Sequence, residues 1–458
     1  MTNKVEQLVL ATVAFFWAFL MWFATAAFSP SIGDAFSLST GELALLASSA
    51  IWLAPPGRVA AGWAADKLGA HNTFAIILAY SGVVSIASSF ATSYEVLFLE
   101  RLVVASAGVG FVVGIQHVAQ WFDEHEIGTA EGLYAGTGNA GAGVGALVLP
   151  RLYGTDFSAA FLHLGIVALV IAAVYKWRGQ PAKSAEQAAT AKSNTSLRDT
   201  LYVWTRYTAV ALMLAYGLTF GLEIAMNAWL PGYYAEGFAA ELRGLGFTDA
   251  VAIQTAAGTF AAVQSFNASL WRPFSGYMSD LWQRKGWTPY PFLASGQDYS
   301  PRVHWVLTSL LLVGTLLVAL SAAGVAGLLP VSVVVLAGFG VAVSFGTGGV
   351  FALVPLLFPD RPGTAAGFVG GISTTGGILY PILFGLPAGV HLGYALVAGV
   401  VFVPCIAFFV WAMARADGAA GATPGLGSRE RWLGAGAAGG AAGAGTGAAT
   451  DSGTGGDD

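Results

Sequence analysis

Twelve stretches of roughly 20 or more mostly apolar residues run along this chain, near 7–28, 41–63, 72–91, 94–122, 129–150, 157–177, 204–235, 250–280, 304–325, 331–358, 363–388 and 393–415. A helix of that length crosses ~30 Å of hydrocarbon. Inside a bilayer every backbone polar group must find its partner within the protein, which confines spanning elements to helices and closed barrels. The sequence therefore predicts an all-α membrane protein with twelve transmembrane helices. Only 10% of the residues are charged, against about 25% in soluble domains, and the mean hydropathy is +0.67. The first stretch is too long for a signal-peptide core and carries Trp17 and Trp22, so it is read as a helix. Gly and Pro inside the stretches do not veto them, because membrane helices tolerate both.

The distribution of Lys and Arg sets the orientation. With the N-terminus in the cytoplasm, 15 of the 20 basic residues fall in inside loops and tails and 2, Arg151 and Arg243, fall outside. The remaining three, Arg58, Arg101 and Arg272, lie within spans. The expectation is a multi-pass protein of the plasma membrane with both termini cytoplasmic. Residues 1–178 form one six-helix half and 204–415 a second. A polar cytoplasmic linker, 179–203, joins them. The Gly/Ala-rich tail, 416–458, is too simple to bury a core and is expected to be disordered.

The halves repeat a charged pattern. The second span contains Arg58-x3-Gly62-x3-Asp66, and the eighth contains Arg272-x3-Gly276-x3-Asp280. A spacing of four puts these residues on one helix face. The fifth span opens with Gly132-x3-Gly136 and runs on through Gly138, Asn139, Gly141, Gly143 and Gly145. The eleventh opens with Gly363-x3-Gly367 and runs on through Gly370 and Gly371. Parallel repeats of this kind face each other about an axis normal to the membrane.

An arginine within a span costs ~2.5–3.5 kcal/mol on insertion scales and so usually faces a cavity or a partner. Arg58 and Arg272 have no obvious matched carboxylate, and two converging guanidiniums attract an anion. At an effective dielectric near 20, a charge ~4 Å from each gains about 4 kcal/mol per contact. Arginine suits a planar oxyanion because its flat fork meets two oxygens at once. Gly136, Gly138, Gly141, Gly367 and Gly371 strip bulk from their helix faces, allowing close approach and sliding. Asn139 is left as an amide able to donate to an anion. In the seventh span Tyr216, Phe220, Glu223 and Asn227 share a face. Glu223 is a carboxyl group well inside a span, where a neutral carboxyl costs less to bury than a charged one. Arg101 follows Glu100 and reads as a structural pair with a carboxylate.

Other classes of function find little support. A single cysteine, Cys405, leaves no disulfide framework and no Cys-based metal cluster. The net charge of −5 offers no basic footprint for nucleic acid. His117, His125, His163, His304 and His391 are scattered, so no enzyme, metal or cofactor is expected.

These residues resemble the nitrate/nitrite porter family of the major facilitator superfamily over nearly all of 8–415. The resemblance rests on GLYAGTGNAGAGVG in the fifth span, GTAAGFVGGISTTGG in the eleventh and YGLTFGLEIAMNAWLPGYY in the seventh. The turn Asp66-Lys67-Leu68-Gly69 is similar to the general superfamily loop motif, with His71 where Arg is common. The resemblance implies the major facilitator fold, a monomer, and a nitrate or nitrite ion gripped by Arg58 and Arg272. It implies hydrogen bonds from Asn139 and Tyr216 and a sandwich of the ion between Phe111 and Phe220, with Phe16 joining them. Nitrate, small, planar and monovalent, fits that chemistry. The expected function is secondary active transport by alternating access, with uptake of nitrate coupled to protons through Glu223. Nitrate/nitrite exchange is the alternative, and formate or oxalate are the alternative substrates.

Overall fold

A computed structural model describes residues 4–122, 126–181, 203–293, 297–359, 362–386 and 389–416. The expected linker and tail lie almost wholly outside the described residues. In chain order the longer helices are α1 (Lys4–Ala27), α2 (Ser29–Phe36), α3 (Thr40–Trp52), α4 (Ala54–Leu68), α5 (Ala70–Ser88), α6 (Tyr94–Ala105), α7 (Gly110–Ala119), α8 (Ile127–Tyr153) and α9 (Phe157–Arg178). After the linker come α10 (Tyr207–Tyr216), α11 (Leu222–Gly237), α12 (Ala239–Gly244), α13 (Ala250–Lys285), α14 (Ser300–Val325) and α15 (Leu329–Leu357). The last are α16 (Pro362–Ile372), α17 (Gly376–Phe384), α18 (Leu392–Val397) and α19 (Val403–Ala416).

Helices, several of them interrupted, fall on each of the twelve apolar stretches. Among the described residues nine segments are long and apolar enough to cross a membrane by length and composition. The segments 40–68, 127–153 and 250–285 are missing from that set. They are the ones that carry Arg58, Arg272 and the glycine run: 127–153 and 250–285 are too polar, whereas the second span is divided at Leu53 into helices of 13 and 15 residues, each too short to cross alone. The second span breaks at Leu53, just ahead of Pro55 and Pro56, which supply no N–H to the preceding turn. The fourth passes through a 3₁₀ turn at Ser106–Val109. The seventh passes through a π-helical turn at Gly217–Gly221, and the eleventh through a 3₁₀ turn at Ser373–Thr375.

Helix α1 packs along α8, α8 along α13, and α13 along α15. The α1–α8 contact depends on glycine. A Cβ at Gly138 would overlap the Phe15 ring, and one at Gly141 would overlap the Phe16 carbonyl. On the neighbouring face of α8, a Cβ at Gly143 would sit 2.9 Å from Ser265 of α13. The pairings Gly136–Ser269 and Gly143–Ser265 make α8 and α13 antiparallel. Arg178 pairs with Glu6, and the Tyr207 hydroxyl donates to the Arg415 carbonyl at 3.3 Å. Both ends of the described chain therefore lie at one end of the bundle.

At the other, distal end the first six spans close on the last six. The Ser48 hydroxyl donates to the Ile378 carbonyl at 2.7 Å, and Thr40 to Glu236 at 2.5 Å. Gln254 of α13 donates to the Gly154 carbonyl at 2.7 Å and accepts from the Ser31 amide at 3.2 Å. Towards the termini the opposite holds. Gly62, Gly132, Gly276, Gly367 and Gly371 face open space, with nothing within 4 Å of where a Cβ would stand. Among the described residues the two groups of helices are joined at the distal end, and the glycine positions towards the termini are unfilled.

Filling the α1–α8 contact should separate the helices. Gly141→Ala is expected to cost about 1–3 kcal/mol, as overpacking does, and to lower the thermal midpoint of the detergent-purified protein, while Gly132→Ala leaves that midpoint unchanged.

Candidate anion site

Arg58 stands in the first turns of α4, just past the break that Pro55 and Pro56 enforce. Arg272 stands in the middle of α13, directly before Pro273. Proline has no N–H, so the Ser269 carbonyl, four residues earlier, loses its helical partner at this point. The two arginines arrive at the same ring. The guanidinium carbon of Arg58 is 5.9 Å, and that of Arg272 5.4 Å, from the centroid of Phe220. Both distances are within reach of a cation–π interaction. Phe220 is presented by the π-helical turn, a feature common at functional sites. Glycine is required there because the Ser373 carbonyl lies 3.1 Å from the Cβ positions of Gly217 and Gly221.

The expected aromatic pair is in contact but is not a sandwich. Phe111 and Phe220 lie 6.2 Å apart at 32°. A flat ion between two parallel ring faces needs about 7 Å, twice an ordinary van der Waals separation. Phe15, not Phe16, continues the row: it lies 5.4 Å from Phe111 and stacks on Tyr134 at 4.9 Å. On the far side Tyr216 lies 5.2 Å from Phe220 and 4.9 Å from Phe351. The rings thus form a ladder across the middle of the bundle. Phe15, Tyr134 and Phe351 were not singled out from the sequence, where aromatics in apolar spans carry no mark of their position.

One sequence expectation is overturned. Arg272 does have a matched carboxylate: its Nη2 donates to both oxygens of Glu223, at 2.7 and 2.6 Å. Glu223 is 1% exposed. Positions 223 and 272 lie on different helices, so no spacing rule ties them together. Arg58 makes no ion pair among the described residues; its Nη1 donates to the Gly370 carbonyl of α16. Arg101 interacts electrostatically with Glu100, but among the described residues it makes no ion pair within 4.0 Å. Arg101 donates instead to the Met21 carbonyl at 2.7 Å.

The centre is rich in unused polar atoms. Both side-chain atoms of Asn139 are buried without a hydrogen-bond partner, as are the Nε atoms of Arg58 and Arg272 and the hydroxyls of Ser269 and Ser373. Asn139 lies between Gly136 and Gly143 on the α8 face turned to α13. Buried polar groups are normally satisfied, and a concentration of exceptions calls for an explanation. Ser269, one turn before Arg272, was legible in the sequence; Ser373 and the Gly370 carbonyl were not. Gly136, Gly138 and Gly141 are in tight packing, whereas Gly367 and Gly371 line the open side. Asp66 falls in α4, and its side chain lies outside what the structure describes. Tyr216 reaches this centre through its ring contacts. Asn227 is held elsewhere, accepting from Ser265.

A bundle of spanning helices with buried charge at its centre is a membrane transport architecture. The family model described as Major Facilitator Superfamily matches residues 10–296. The chain is 30% identical to the probable nitrate/nitrite antiporter NarK1 of Thermus thermophilus, over 88% of this chain and 90% of that one. It is 24% identical to the nitrate/nitrite transporter NrtP of Nostoc punctiforme, over 81% of this chain and 85% of the other. Among solved structures, the nucleoside transporter NupG superposes with a TM-score of 0.63 at 15% identity, covering 89% of this chain and 99% of that one, a likeness of fold. The chain belongs to the nitrate/nitrite porter family of the major facilitator superfamily, a family of membrane transporters and not of enzymes.

An amide orphaned in the apo centre should be dispensable for folding. Asn139→Leu is expected to hold or raise thermal stability, because it removes an unsatisfied buried group, while weakening nitrate binding at least tenfold in calorimetric titration.

Proposed function

We propose that this protein carries nitrate, and nitrite with it, across the plasma membrane by alternating access. The observation that carries the reading is the meeting of Arg58 and Arg272 over Phe220, among buried donors that nothing in the protein satisfies. Three charges sit there, two guanidiniums and the Glu223 carboxylate. With Glu223 ionised the centre holds one net positive charge, which one monovalent anion neutralises. Relatives named for nitrate and nitrite transport support the identity of that anion.

The site residues take the following parts. Arg58 and Arg272 grip the anion, Asn139 and Tyr216 add hydrogen bonds, and Phe111 and Phe220 bound it after parting by about an ångström, the gap between their spacing and the ~7 Å a flat ion needs. The glycine faces of the fifth and eleventh spans let the two groups of helices slide. The excess of Lys and Arg in the terminal-side loops supports a cytoplasmic position for that side, with the state described here facing inward. The protein works as a monomer.

Nitrate uptake runs against a negative-inside potential, at about 2.3 kcal/mol per charge per 100 mV. Glu223 offers the coupling. Its carboxylate occupies Arg272 and competes with the substrate for the same N–H groups. A proton on Glu223 releases Arg272, so proton and anion favour each other's binding. Exchange of nitrate for internal nitrite is the second reading; it is favoured by the charge balance of the ionised centre, which one anion of either kind satisfies equally.

Liposomes containing the purified protein and supplied with labelled nitrate test these parts. Uptake is expected to be saturable and to rise with an acid-outside gradient. Arg58→Lys keeps the charge but loses the planar fork and is expected to weaken affinity at least tenfold. Glu223→Gln is expected to remove the response to the gradient while retaining exchange with internal nitrite. Formate or oxalate uptake that nitrate fails to inhibit would refute the substrate. Uptake driven by internal nitrite and indifferent to the gradient in the parent protein would replace symport with exchange.

A further inference from the structure

We propose that Arg101 forms a second binding site for a small monovalent oxyanion, on the distal side of the bundle and separate from the ring of Phe220. The proposal rests on the reading that this protein carries such an anion. Arg101 lies on α6, ten residues before Phe111 on the same span, so it stands about 15 Å further towards the distal end at 1.5 Å per residue. It lines a small, partly open cleft of about 20 Å³, room for about one water until its walls part, that is walled by Trp22 and Thr25 of α1, Ser49 of α3, Ala105 of α6 and Ala228 of α11.

The guanidinium is 3% exposed and only partly employed. Its Nη2 donates to the Met21 carbonyl at 2.7 Å, and its face rests 4.5 Å from the centroid of Phe161. Its Nε and Nη1 have no partner, and the Thr25 hydroxyl on the same cleft has none either. Among the described residues no carboxylate lies within the 4.0 Å of an ion pair with Arg101. Glu100, its neighbour, lies beyond ion-pair distance but interacts electrostatically with Arg101, so the charge of Arg101 is partly balanced while its N–H groups stay idle. The other polar groups of the cleft are spent: the Trp22 indole donates to the Ala50 carbonyl at 2.8 Å, and the Ser49 hydroxyl to the Leu46 carbonyl at 2.7 Å. A buried cation with several idle N–H groups is costly unless something pairs with it. A planar oxyanion supplies the hydrogen-bond acceptors that Arg101 and Thr25 lack.

The cleft draws its walls from both groups of helices, with Ala228 the contribution of the second. Movement of one group against the other therefore alters this site together with the central one. With the termini cytoplasmic, Arg101 is the first buried cation that an anion meets on its way in from outside, and it holds the ion before Arg58 and Arg272 become accessible.

Isothermal titration of the full-length detergent-purified protein with sodium nitrate, at constant ionic strength, tests this by stoichiometry. The parent is expected to bind two nitrates per chain. Arg101→Gln is expected to bind one, and Arg58→Gln is expected to bind one at the remaining distal site. Ala47→Leu fills the cleft from a partly exposed wall without touching Arg101 and is also expected to bind one; it decides the matter if Arg101→Gln does not elute as a monodisperse protein. One nitrate in the parent, unchanged by Arg101→Gln or by Ala47→Leu, overturns the distal site and leaves the central one standing. Two nitrates in Arg58→Gln, falling to one with Arg101→Gln, would uphold the distal site and remove the central reading.

Discussion

The structure turns on two guanidiniums held against one aromatic ring in the middle of a bundle of apolar helices. Each would be expensive alone in such a place. The protein meets the cost differently for each. Arg272 is matched by a full carboxylate, Glu223, and travels with it in the last six spans. Arg58 is met by a carbonyl, that of Gly370, and by the negative face of Phe220. A carbonyl dipole and a ring quadrupole reduce the cost of a buried charge without cancelling it. What is left over is a site with unfilled demand for negative charge, which is the basis for the anion proposed here.

The irregular turns serve the same centre. A continuous α-helix through 207–237 would fix the register of Tyr216, Phe220 and Glu223 on one stripe. The π-helical turn at Gly217–Gly221 adds backbone at the place where Phe220 must meet both arginines. The 3₁₀ turn at Ser373–Thr375 packs against it, carbonyl to glycine, with no side chain between. Close backbone approach of this kind needs the glycines of the seventh span as much as any ligand does. It also leaves the Ser373 hydroxyl unpaired beside the site.

Much of this was legible in the sequence because membrane physics writes in long words. Twenty apolar residues have one plausible use, and a charge placed among them stands out, so the spans, the repeat and the prominence of Arg58, Arg272, Asn139 and Glu223 could be read directly. Contacts between spans were not legible. Glu223 and Arg272 are 49 residues apart on different helices, and no periodicity joins them, so the sequence suggested unmatched arginines where one is paired. Phe15 and Phe16 differ by 100° around a helix, and nothing local says which of them faces Phe111. The glycines were read as a single packing device, yet they divide by helix. Gly138 and Gly141 are locked against α1, while Gly367 and Gly371 border open space. Sequence records that bulk is absent but not in which conformational state the vacated face is filled.

The repeat makes Arg58 and Arg272 equivalent by descent of pattern, but the structure makes them unequal partners in any motion. The Arg272–Glu223 pair lies wholly within the last six spans, so rigid rotation of that group leaves it intact. The bond from Arg58 to Gly370 joins the first group to the second. Of the two, only the Arg58 contact must change when the groups move apart at the level of the ring. In the proposed mechanism an anion takes the place of the Gly370 carbonyl, offering Arg58 a full charge in exchange for a dipole and bridging to Arg272 across the same gap. Differential binding of this sort is what allows a ligand to shift a conformational equilibrium, and here it resides in the arginine that the sequence repeat, taken alone, would rank no higher than its twin.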